Sequence, residues 1–197
     1  MLETTRGAMR ALAILLLVTV ATQIFYITVV SAAGDETPLR PATWLVELFA
    51  FVGIAVSGIT LAVRDSQRAH LWSLVALSGL FNMLQIAMGL SMFGPASEAS
   101  ETVPNLFATI LGGAFFFYFL AKLLLGLAAL AIGGTAVRGG AGLARIFGGL
   151  AALAGGATVV IGFLAMLDRD GWMFPAGAAG TAVAALFALT LLTAKDS

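Results

Sequence analysis

Six apolar runs, each bounded by short polar or glycine-rich stretches, organise this chain. A hydrocarbon core about 30 Å thick needs about 20 apolar residues per helical crossing. The runs predict helices over about 9–33, 43–63, 70–93, 104–137, 143–167 and 173–194. The expected fold is all-α, a polytopic transmembrane bundle of six helices forming a single domain over residues 1–197. Between the helices, Gly94–Val103 reads as a loop and Asp168–Trp172 as a turn, and Thr43 is placed to cap the second helix.

Polar positions inside the runs are grouped. Thr19, Thr22, Gln23 and Tyr26 recur at helical spacing and share one face of the first helix. Ser78, Asn82, Gln85 and Gly89 do the same on the third. Hydrocarbon offers such groups no partner, so both faces are expected to turn toward other helices. At 1.5 Å per residue, Asn82 and Gln85 fall about 12–16 Å below one membrane boundary, and Gln23 and Tyr26 about 10–15 Å below the same one. Such a layer serves either as a polar pocket for a solute or lipid headgroup or as hydrogen-bonding glue between helices.

Small residues are also patterned. Gly53 and Ser57 form a small-xxx-small pair in the second run. In the fifth, Gly142, Gly149 and Gly156 repeat every seven residues, as do Gly148, Gly155 and Gly162. Seven residues is close to two turns, so these glycines make a bare stripe for close helix packing, within the chain or between copies.

Composition agrees with a membrane protein. The 197 residues are 60% hydrophobic and 10% charged, with mean hydropathy +1.04, whereas soluble domains carry about 25% charge. The first run resembles a signal peptide near Ser31-Ala32-Ala33, but its length favours an uncleaved first helix. There is no Cys and a single His, His70, so neither a metal site nor haem is expected. Nor does any feature point to nucleic acid. Arg6, Arg10, Arg64, Arg68, Arg138, Arg145 and Lys195 fall on one side of a six-span layout, against Glu3, Asp65 and Asp196. The other side has Arg40 and Arg169 against Asp35, Glu36, Glu98, Glu101, Asp168 and Asp170. The positive-inside rule then places both termini in the cytoplasm of a bacterial-type plasma (inner) membrane.

Two ionisable groups fall within the runs. Glu47 is expected about 6 Å below the outer boundary by helical rise. Lys122 lies in an overlong fourth run, where it either snorkels to the inner interface or sits nearer mid-membrane and pairs with Glu47. The cluster Phe115, Phe116, Phe117, Tyr118 and Phe119 encircles its helix. It reads as lipid-facing bulk, with Tyr118 and Lys122 on one face as an alternative site for a lipid, quinone or carotenoid. The chain carries little catalytic equipment; an enzyme using Glu47 with loop acids at the outer interface is the least favoured reading. The expected function is a helical subunit or binding module for another membrane protein or a lipophilic ligand, in a lipid bilayer and open to homo-oligomerisation. The alternative is a small-solute or ion transporter or channel using the polar layer with Glu47 and Lys122.

Overall fold

A computed structural model describes residues 4–34 and 37–194. Glu3, Asp35, Glu36, Lys195 and Asp196, all part of the charge balance, lie outside the described residues. The chain folds into α1 (Thr5–Phe25), α2 (Leu39–Arg64), α3 (Ala69–Ala99), α4 (Leu106–Gly139), α5 (Leu143–Leu167) and α6 (Arg169–Thr193). A π-helical turn, Tyr26–Val30, prolongs α1, and a 3-10 turn, Ser66–Arg68, leads into α3. All six helices are long and apolar enough to cross a membrane. The chain is a helical bundle of the integral-membrane class.

Several boundaries differ from the sequence expectation, for local reasons. Helix α2 starts at Leu39 because Pro41 falls in its first turn, where a missing N–H costs no helical bond. Thr43 is therefore inside the helix and does not cap it; its hydroxyl donates to the Leu39 carbonyl at 2.7 Å. Helix α3 runs through Pro95 to Ala99, so most of the expected 94–103 loop is shorter than its sequence suggests. The Asp168–Trp172 segment is a helix start instead of a turn: Asp168 Oδ1 accepts from the Gly171 N–H at 3.2 Å and caps α6.

Consecutive helices pack side by side and α6 returns to α1, closing a ring. Helix α4 also touches α6, which leaves α5 outside that pair. The α4–α5 seam is made of glycine. A Cβ added at Gly155 would lie 2.5 Å from the Gly126 carbonyl oxygen, and one at Gly133 would lie 2.5 Å from that of Gly148. Each step of seven along α5 thus meets a step of seven back along α4, the register of two antiparallel helices with backbones in close approach. Of the two expected stripes only Gly148, Gly155 and Gly162 are buried in this way. Gly149 and Gly156 meet only side-chain ends, at 3.5 and 4.0 Å. Gly142 packs against nothing; it turns the chain into α5 at φ +57°, a conformation suited to glycine.

Gly53 receives the Leu15 side chain of α1. Gly58 and Gly79, which the small-residue pattern had not singled out, lie against the backbone of Ala76 and Ala55 and draw α2 onto α3. One half of the bundle is packed dry by Leu12 and Leu16 of α1, Leu61 of α2, Trp72 and Val75 of α3, Ile132 of α4, and Phe187 and Leu191 of α6. At that end the Trp72 indole donates to Asp65 at 3.0 Å, and Asp65 pairs with Arg68 at 2.9 Å.

The seam generates a paired prediction. Gly155→Ala should lower unfolding free energy in mild detergent by about 1–3 kcal/mol, the usual cost of overpacking. Gly134→Ala, where an added Cβ meets nothing within 4 Å, should leave stability unchanged or raise it. Equal effects at the two positions would contradict the seam.

Candidate functional site

In the half opposite the dry core, the ring opens into a cavity of about 510 Å³. Helix α1 and its π-turn contribute Gln23, Tyr26 and Ile27; α2 contributes Arg40, Trp44 and Glu47; and α3 contributes Gln85 and Phe93. Helix α4 supplies Phe107, Leu111, Ala114, Phe115 and Tyr118, and α6 supplies Met173, Phe174, Gly177 and Ala178. Helix α5, lying outside the α4–α6 contact, contributes no residue to the lining.

The walls are aromatic and positioned by local devices. The π-turn, closed by the Ser31 N–H donating to the Tyr26 carbonyl at 2.9 Å, rotates the end of α1 relative to a regular helix. Tyr26 then stacks on Trp44, with centroids 6.4 Å apart and planes at 15°. Gly89 makes room for the indole: a Cβ there would meet its ring at 2.9 Å. Trp44 meets Phe93 edge-on at 6.0 Å, and Phe93 meets Phe107 at 5.6 Å. Phe115 and Tyr118 form a further T-shaped pair at 6.2 Å.

The polar groups lie deeper. Thr22 Oγ1 donates to Glu47 Oε1 at 2.8 Å. Glu47 is level with the glutamines because α2 starts earlier than expected. Eight residues from the helix start place it about 12 Å in, not 6 Å. Gln23, Tyr26, Glu47, Gln85 and Tyr118 therefore line one cavity. Asn82 and Lys122, also candidates from the sequence, are not part of its lining.

Lys122 corrects the expectation of snorkelling. It is 7% exposed, near the middle of the 34-residue α4. Its Nζ sits 4.9 Å from the Tyr118 ring centroid and 6.0 Å from that of Phe51. Its stem occupies the space left by Gly180, where a Cβ would lie 2.5 Å from Lys122 Cδ. The expected direct pair with Glu47 is also absent: among the described residues, no carboxylate lies within 4.0 Å of Lys122 and no basic nitrogen within 4.0 Å of Glu47. Asn82, 2% exposed, donates through Nδ2 to the Ser78 carbonyl at 3.0 Å, while its buried Oδ1 has no hydrogen-bond partner.

The encircling aromatic cluster divides by direction. Phe119 is buried, Phe117 stacks on Phe81 at 5.7 Å, and Phe116 is 48% exposed. The sequence reading missed Trp44, Phe93, Phe107 and Phe174 as parts of a site. Their signal was present: aromatic residues near the same-side ends of successive runs, a pattern that resembles an interfacial belt.

Among the described residues Lys122 has no carboxylate within 4.0 Å, so replacing it with an apolar residue of similar length relieves a desolvation cost at the loss of its ring contacts. Lys122→Met should be neutral or stabilising by thermal unfolding in detergent, and a double-mutant cycle with Glu47→Gln should give a coupling below about 1 kcal/mol. A strongly destabilised Lys122→Met with large coupling would show a true ion pair.

Comparison of the chain with protein-family models, with curated proteins and with solved structures finds no match to any of them.

Proposed function

We propose that this protein is a non-enzymatic membrane binding module whose cavity holds a lipophilic ligand with a polar end. The observation that carries this reading is the asymmetry of the bundle. One half is packed dry, and the other opens into a cavity with aromatic walls and a few polar groups at depth. Its volume of about 510 Å³ falls within the range of ligand sites, which are mostly apolar with a few placed polar groups. A lipid, quinone or carotenoid could present an apolar body to the Trp44 and Phe93 wall and a polar group to Glu47, Gln85 and Tyr118.

Two intramembrane ionisable residues, the half-buried Glu47 and the buried Lys122, support the second reading, a transporter or channel. It is the weaker one, because a path through the bundle would have to part Leu12, Leu61, Trp72 and Phe187, each no more than 1% exposed. An association role remains compatible with the fold, but the buried α5 glycines are already used within the chain.

We also infer an inner-membrane orientation with both termini cytoplasmic and the cavity toward the outside, from the excess of Arg and Lys on the terminal side. A fluorescent protein fused at the C-terminus should fluoresce, and alkaline phosphatase fused there should be inactive. The reverse pair of results would invert the orientation.

The ligand reading is tested by obstruction. A Cβ at Gly177 points at Tyr118 Oη, 3.3 Å away, so Gly177→Leu places a side chain in the cavity. Native mass spectrometry of the wild type should show a retained amphiphile, and Gly177→Leu should lose it. Equal retention would contradict a cavity-bound ligand.

A further inference from the structure

Among the described residues, Glu47 is the only carboxylate in the cavity lining. It accepts from one hydroxyl, that of Thr22, and has no basic nitrogen within 4.0 Å among the described residues. An isolated negative charge away from water is costly, and a ligand that brings positive charge offsets that cost.

The surroundings suit such a ligand. Trp44 is three residues from Glu47 on the same face of α2 and also lines the cavity, as do Tyr26 and Tyr118. Aromatic faces attract organic cations, and cages of such rings recognise quaternary ammonium groups. The protein shows this preference itself, since the Lys122 ammonium rests 4.9 Å from the Tyr118 ring centroid. The other polar groups of the lining are the amides of Gln23 and Gln85, the phenols of Tyr26 and Tyr118, and the Arg40 guanidinium, with no ionisable residue from α6. Three positive groups are nearby: Lys122 and Arg169, outside the lining and against the Tyr118 and Phe115 rings, and Arg40, in the lining but seven residues or about 10 Å back along α2 from Glu47. An anionic ligand end placed at this depth would meet both Glu47 and the negative faces of the rings.

We infer that the cavity selects organic cations with an apolar, ring-stacking body, the positive centre lying beside Glu47 and the rings of Tyr26, Trp44 and Tyr118. This rests on the reading of the cavity as a ligand site, and it adds a charge class to that reading.

Two probes of the same shape and opposite charge, tetraphenylphosphonium and tetraphenylborate, test it, with neutral triphenylphosphine oxide as a third. Binding to the full-length protein in nanodiscs is measured by equilibrium dialysis, with binding to empty nanodiscs subtracted. The phosphonium should bind saturably and at least tenfold more tightly than the borate. Glu47→Gln should weaken it about tenfold, whereas Glu47→Asp should retain most of the affinity. Borate binding as tight as phosphonium binding overturns the cation class but leaves the cavity a ligand site. Saturable binding of none of the three overturns the ligand reading itself. Phosphonium binding unchanged in a folded Glu47→Gln removes Glu47 as the counter-charge. If that variant does not fold, the comparison of the two ions on the wild type decides alone.

Discussion

Hydrocarbon cannot hydrogen-bond, and this constraint shapes the bundle more than any single contact. Side chains such as Gln23, Glu47 and Gln85 must meet protein or a water-filled space. The ring of helices meets the demand by leaving a cavity where they converge. Buried hydroxyls elsewhere are satisfied within or between helices: Thr158 donates to Ala154 at 2.8 Å and to Ala179 of α6 at 3.1 Å. Apolar burial supplies little driving force between helices in lipid, so close packing carries the association.

Glycine decides which helix lies inside. Gly126 and Gly133 of α4 against Gly148 and Gly155 of α5 bring those backbones together and hold α5 on the periphery. The opposite side of α4 is then free to face α6, where Gly177 and Gly180 receive Tyr118 and Lys122. Bare positions on α6 thus allow a phenol and a lysine stem to occupy the interior without forcing the ring apart. The seam and the cavity are two consequences of the same economy of side-chain volume.

The six helices and the inward polar faces were legible in the sequence because both are local patterns: length, hydropathy and helical spacing. The seven-residue glycine repeats announced a seam, but not which repeat would form it. That choice depends on Gly126 and Gly133, on another helix. Glu47 was placed too shallow because Pro41 was read as loop, although proline is at home in a first helical turn. The depth of Lys122 was left open between two placements for a nonlocal reason. Its overlong run gave no anchor for depth, and the space it occupies is created by Gly180, 58 positions further along the chain. The cavity wall required residues from separate runs to be seen together, which spacing within one run does not reveal.

The chain contains no cysteine, so single cysteines can report directly on whether the polar layer faces an interior space. Gln85 lines the cavity, and its neighbour Leu84 is 41% exposed on the outside of the same helix at the same depth. In native membranes, Gln85→Cys should react with a small water-soluble methanethiosulfonate and Leu84→Cys should not. Labelling of Leu84→Cys with Gln85→Cys inert would place the polar face toward lipid and contradict the account.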